Sequence, residues 1–148
     1  MIKITKYTKL SDILEFIPLF SEKYPDLSSD ELEKYLTSVI NTNEYVLLIA
    51  KTQNGEVAGM AAYHIGTMLY CGKFIQVSSL YVKHTARNKG IALMLLTSIE
   101  TEGKNQNCDN IVLDSFVTNI ESHDIYQRLG FERKTYHFMK NLKDSEIK

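Results

Sequence analysis

The sequence predicts a mixed α/β fold, a largely antiparallel sheet with helices on both faces. Three observations carry this. Strand-like and helix-like patterns follow one another as β-α-α-β-β-β-α-β-α-β-β along the 148 residues, an order that layers helices on a sheet. Asn54-Gly55 between two apolar runs marks an antiparallel hairpin, because both residues tolerate positive φ. The strand–helix–strand passage over 74–117 adds a parallel pair through a right-handed crossover.

Residues 2–7 read as the opening strand. A helix follows from about Asp12, with Ile13, Phe16, Ile17 and Phe20 at helical spacing and Pro18 set to kink or shorten it. Tyr24-Pro25-Asp26 breaks the pattern. Ser28 and Glu31 form a capping box for a second helix, whose expected buried face is Leu32, Tyr35, Leu36 and Val39. Strands are expected over 45–50 and 57–65, then a loop holding Gly66 and Gly72, then a strand over 74–82. A third helix begins near Gly90, with Ala92, Leu95, Leu96 and Ile99 on one face. Residues 111–117 read as a strand. Thr118 and Glu121 propose a second capping box, for a helix with inner face Ser122, Ile125, Tyr126 and Leu129 and with Gly130 at its C′ position. Strands over 131–134 and 136–142 and a frayed tail over 143–148 complete the chain. There is no linker or internal repeat, so one domain over 1–148 is expected.

Composition narrows the function. The formal net charge of −1 gives no long-range field toward nucleic acid or an anionic membrane, so neither is an expected partner. Met1-Ile2-Lys3-Ile4-Thr5 is not the apolar stretch of a secretion signal, and the longest apolar run, over 45–50, is too short to span a bilayer. Cys71 and Cys108 lack metal-like spacing, and no metal site is expected. Both read as reduced, small buried hydrophobes of a cytoplasmic protein.

The chemistry concentrates at the junction Leu80-Tyr81-Val82-Lys83-His84-Thr85-Ala86-Arg87-Asn88-Lys89-Gly90-Ile91-Ala92-Leu93. A strand ends, a basic loop follows, and a helix starts at a glycine. Free N–H groups and the helix dipole at such a start favour an anion, to which Arg87 and Lys89 add charge. Neither G-x-x-x-x-G-K-[ST] nor G-x-G-x-x-G is present. A basic turn before a helix is also common as plain solvated surface.

Arg87-Asn88-Lys89-Gly90-Ile91-Ala92 resembles the Q/R-x-x-G-x-G/A signature of the GNAT acetyltransferases, which grips the pyrophosphate of acetyl-CoA. Asn119-x-x-Ser122-x-x-Ile125-Tyr126-x-x-Leu129-Gly130-Phe131 is similar to a second pattern of that family, and the resemblance spans essentially the whole chain. Ala92 stands for the commoner second glycine and Asn88 for a frequent one.

The resemblance implies a GNAT fold with splayed fourth and fifth strands, acetyl-CoA as co-substrate, and an acetyl group transferred to a primary amine by direct attack in a ternary complex. It places the backbone of Leu80, Tyr81 and Val82 against the pantetheine arm, Arg87, Asn88, Lys89, Gly90, Ile91, Ala92 and Leu93 around the pyrophosphate, and Asn119 near the cofactor. Tyr126 takes the place of the proton donor to the leaving thiolate. Asp114 stands on the fifth strand where some members carry a catalytic Glu, and His64 and His123 are further titratable candidates. The acceptor site falls to the link over 21–29 and the last hairpin over 133–137, where Glu22, Asp26, Asp30 and Glu31 offer negative charge to a cationic amine. Tyr24, Tyr35, Tyr63, Tyr70 and Tyr136 are candidate pocket aromatics. A small-molecule amine is the leading acceptor; a peptide or protein amine, and a non-catalytic acyl-CoA-binding regulatory module, stay open, as does a homodimer.

Overall fold

The structure, a computed structural model, describes residues 1–143; the tail expected to fray lies outside them beyond Lys143. The elements are β1 (Lys3–Tyr7), α1 (Leu10–Ile13), a 3-10 turn (Leu14–Phe16), α2 (Ile17–Lys23), α3 (Ser29–Thr42), β2 (Val46–Lys51), β3 (Val57–Met68), β4 (Gly72–Val82), a second 3-10 turn (His84–Ala86), α4 (Ile91–Asn105), β5 (Asn110–Leu113) and α5 (Ile120–Arg128). The chain forms two compact units, Met1–Leu113 and the residues from Asp114 onward.

In the first unit the sheet order is β1-β2-β3-β4-β5, antiparallel except for the parallel β4–β5 pair. Period-2 alternation assigns its two faces. Leu47, Ile49, Met60 and Ala62 meet Ile13, Leu19 and Phe20 from α1 and α2 and Leu32 and Leu36 from α3 in one core cluster. The opposite face, with Leu48 and Tyr63, lies against α4. Ile91, Leu95, Leu96 and Ile99 of α4 are buried, and a Cβ on Gly103 would come within 2.7 Å of Ile75, so α4 rides close on β4.

Several local expectations hold. The Ser28–Glu31 capping box closes with bonds of 3.0 and 3.1 Å, and Gly55 turns the β2–β3 hairpin at φ +84°. Gly130 takes φ +94° just after α5.

Others are corrected. The first helix is two helices split by a 3-10 turn, and Pro18 lies in the first turn of the second; without an N–H, and with its ring against the preceding turn, proline fits only a helix's first turn. Tyr35 is 51% exposed, so α3 buries the narrower stripe of Leu32 and Leu36. Gly66 lies within β3 instead of in a loop. It faces Phe74 across the ladder, where a Cβ would come within 2.7 Å of the ring. Strand β5 stops at Leu113, not at Val117. No capping box forms at Thr118; Asn119 occupies the N-cap, with no side-chain bond. The two strands expected over 131–142 are absent, and Tyr136, Phe138, Met139 and Leu142 are 83%, 91%, 88% and 87% exposed. Alternating polarity tells a strand which face to bury, but a ladder also needs a partner for its N–H and C=O groups.

Candidate active site

The first unit builds the site around a break in β4. Register against β3 runs Ala62↔Ser78, then Met60↔Tyr81, so β4 carries one residue more than β3 over that stretch. The extra residue is Ser79, a non-glycine at φ +52°. Such a bulge bends its strand and re-aims the residues beyond it. Pairing with β5 covers only Phe74 to Val77 and stops before the bulge. The expected parting of the fourth and fifth strands therefore has a visible cause.

Beyond the bulge the backbone alternates. Lys83 N–H donates to Ala58 on β3, and the Tyr81 carbonyl sits against Gly59 of the same strand. Residues between them in the alternation turn their N–H and C=O groups the other way. Of the three backbone contacts expected for a cofactor arm, Leu80 and Val82 thus point toward the edge where β5 has ended, and Tyr81 points into the sheet.

The loop after β4 delivers a helix start. Asn88 and Gly90 both lie in the left-handed region, at φ +65° and +75°. Asparagine tolerates this conformation better than most residues, which explains why it can stand for glycine at 88. Gly90 is the N-cap of α4, with no side-chain capping bond and no acid in the first turn. A Cβ on Gly90 would meet nothing within 4 Å, so its φ, and not crowding, demands glycine there. The N–H groups of the first turn, Ile91, Ala92 and Leu93, have no intrahelical acceptor and sit at the positive end of a 15-residue helix. Arg87 and Lys89 are exposed beside it. The Arg87 guanidinium donates from Nε to the Val82 carbonyl at 3.1 Å and lies 5.9 Å from the Tyr81 ring centre. This ties the basic loop to the end of β4.

Three contacts that the sequence did not reveal join α2 to β4. The hydroxyls of Tyr24 and Ser79 are 2.8 Å apart, Tyr81 Oη donates to Glu22 Oε1 at 3.1 Å, and Lys83 Nζ pairs with Glu22 Oε2 at 3.3 Å. Burial pushes the Tyr45 phenol well above its ordinary range, against the pull of hydrogen bonds with Ser79 and Ser78. The only sequence hint was the Ser78-Ser79 pair in a largely apolar strand.

These contacts revise the acidic candidates. Glu22 is engaged by Tyr81 and Lys83, and Glu31 serves the α3 cap, which holds its carboxyl below the usual range through the Ser28 backbone bond. Asp26 and Asp30 are exposed. His64 pairs with Gln76, four residues along β4 from Leu80, packs edge-on to Phe74, and has its pKa lowered by burial. Cys71 and Cys108 are free and half-buried, less enclosed than expected. Among the described residues no cluster of three or more His, Cys, Asp or Glu could hold a metal, and no helix is long and apolar enough to cross a membrane.

The second unit holds the remaining candidates. Asp114 follows β5 instead of lying on it, and His137 Nδ1 stands 3.7 Å from its Oδ2. Tyr126 is half-buried on α5 with its ring edge-on to Phe131, 5.9 Å between centres. Burial raises its pKa, which keeps the hydroxyl a proton donor at neutral pH. The His123 ring nitrogen Nε2 lies 2.8 Å from the Phe116 carbonyl oxygen.

The family model described as acetyltransferase (GNAT) family matches residues 11–131. The chain belongs to that family. Within this GNAT chain the match takes in the β4 bulge, the basic loop, α4 and Tyr126, and stops short of the exposed segment over 132–142. Solved structures share its fold. A predicted acetyltransferase from Clostridium acetobutylicum, solved with acetyl-CoA, is 21% identical with a TM-score of 0.75, over 96% of this chain and 97% of that one. Aminoglycoside N-acetyltransferase AAC(6′)-Iy, in complex with CoA, is 20% identical with a TM-score of 0.80, over 97% and 95%. A ribosomal-protein-alanine N-acetyltransferase from Brucella melitensis is 19% identical with a TM-score of 0.77, over 96% and 99%. The sequence matches no curated protein.

Proposed function

We propose that this GNAT chain works as a single acetyl-CoA-dependent N-acetyltransferase domain, passing an acetyl group to the primary amine of a small molecule by direct attack in a ternary complex. One observation carries the reading: the α4 N-terminus is uncapped, free of acids and flanked by Arg87 and Lys89, following a β4 whose outer edge is unpaired by β5 beyond Val77. The residues fit a pyrophosphate joined to an extended arm. Open space surrounds Gly90, and the first-turn N–H groups aim at the anion's position.

In this reading Asn88, Gly90, Ile91, Ala92 and Leu93 hold the pyrophosphate through backbone N–H groups, with charge from Arg87 and Lys89. Leu80 and Val82 offer main-chain bonds to the arm, and Tyr81 fixes the strand beneath. Acetyl-CoA supplies an activated acyl carbon as thioester. The protein's part is to place a neutral amine against it and manage protons. By the family resemblance, Tyr126, a phenol protonated at neutral pH, donates to the departing thiolate. Asp114 accepts the amine proton, directly or through water, and Asn119 bonds near the cofactor; both roles rest on the family resemblance. A cytoplasmic location agrees with the two unpaired thiols.

The small-molecule acceptor is supported by the likeness to AAC(6′)-Iy, also solved with the bisubstrate analogue CoA-S-monomethyl-acetylneamine. The likeness to the ribosomal-protein-alanine enzyme favours a protein amine as the second reading. A pure acyl-CoA sensor needs the loop but not Tyr126.

Thermal unfolding across concentrations of acetyl-CoA, CoA and ATP tests the proposal. Acetyl-CoA is expected to stabilise the fold by about 2.7 kcal/mol at a hundredfold excess over Kd. An Arg87→Ala, Gly90→Pro double variant loses the shift. No shift of the folded protein at millimolar acetyl-CoA refutes the enzyme and sensor readings together.

A further inference from the structure

The sharpest unexplained geometry is Ser79. A non-glycine at φ +52° inside a strand is strained, and it persists only where its surroundings hold it. The end of α2 helps hold it, beside the Tyr45 hydroxyl just before β2. Tyr24, 55 residues away in sequence, closes a 2.8 Å hydroxyl–hydroxyl bond on Ser79. Two residues on, Tyr81 donates to Glu22; two further, Lys83 pairs with the same carboxylate. Ser79, Tyr81 and Lys83 alternate, so they present one face of the post-bulge strand to α2 while the backbone of Leu80 and Val82 stays at the open edge. The Lys83–Glu22 pair is exposed enough to be screened and is the weakest of the three. The half-buried Tyr24–Ser79 bond holds the bulge itself.

We propose that Glu22 and Tyr24 form a positioning latch that fixes the post-bulge half of β4, residues 79–83, in its splayed conformation, so that an acyl-CoA arm meets a ready-made edge. The use of that edge rests on the function proposed above; the latch itself does not. Neither residue touches a reacting atom. Glu22 is correspondingly committed to the strand and not to a cationic acceptor.

Hydrogen exchange and calorimetry on the full chain test this with Tyr24→Phe, Glu22→Gln and the double variant, and with Glu33→Gln, exposed on α3, as a control. Without ligand, amides of residues 79–83 are expected to exchange about tenfold faster in the double variant, while those of β2 and α4 keep wild-type protection. Acetyl-CoA Kd rises about tenfold in the double variant, with less effect in each single one, and the melting temperature stays near wild type. Unchanged exchange at 79–83 in the double variant overturns the latch, as does a uniform rise across the whole sheet, which marks general destabilisation. If the wild type binds no acetyl-CoA, the proposed function falls while the exchange comparison still decides the latch.

Discussion

The carbonyl oxygen of Tyr81 lies against Gly59 where any other residue would carry a side chain; a Cβ built there sits 2.8 Å from it. Both partners are backbone, so neither can swing aside. Gly59→Ala is expected to cost about 1–3 kcal/mol in a urea titration, the usual range for overpacking. It also pushes the post-bulge strand outward, so acetyl-CoA affinity falls with stability. Wild-type stability and affinity in this variant contradict the tight fit between β3 and β4.

Arg87 has two tasks, charge beside the α4 N-terminus and a bond to the Val82 carbonyl. Arg87→Ala is expected to weaken acetyl-CoA binding about tenfold, near 1.4 kcal/mol. Lys89→Ala, which removes charge alone, costs less and flattens the salt dependence of binding. Calorimetry at two ionic strengths separates the two; equal affinities for all three proteins exclude the Arg87 and Lys89 side chains from the cofactor site.

Tyr126→Phe removes a hydroxyl and little else. Turnover is expected to fall on the order of a hundredfold while the KM for acetyl-CoA stays near wild type, the pattern of a lost proton donor. Steady-state kinetics with an accepted amine checks it, and undiminished kcat removes Tyr126 from the chemistry.

Burial pushes the Tyr63 phenol up to about 12, with Glu102 acting in the same direction. Below about pH 10 folded and unfolded chains both keep the proton, and Tyr63 adds no pH dependence. Above that the unfolded chain loses it first. The folded state then binds more protons, so stability falls as pH rises toward about 12. Tyr63→Phe is expected to flatten this alkaline loss in urea titrations between about pH 10 and 12; an unchanged slope shows that Tyr63 is not its source.

Much of this was legible in one dimension because the signals are local. The Ser28–Glu31 box, the Asn54-Gly55 turn and the Gly90 helix start each depend on a few neighbouring residues, and each is in place. The Arg87–Leu93 motif was visible for the same reason, since an anion-binding helix start is built from consecutive backbone groups. Signals that needed a partner did worse. The alternation over 131–142 and the Thr118–Glu121 spacing were genuine patterns, but no strand and no cap formed from them.

The sequence by itself determined the order of helices and strands from β2 to α5, the position of the basic loop and the family. Periodicity, turn chemistry and motif spacing act over a few residues. Only the tertiary structure decided that β4 takes an extra residue at Ser79, that pairing with β5 ends at Val77, and that Glu22 and Tyr24 reach across to hold the strand from Ser79 to Lys83. Those relations join residues up to 61 positions apart, Glu22 and Lys83. A hydroxyl 2.8 Å from another leaves no mark on the local pattern of either, because its energy exists only once the chain has brought the two together.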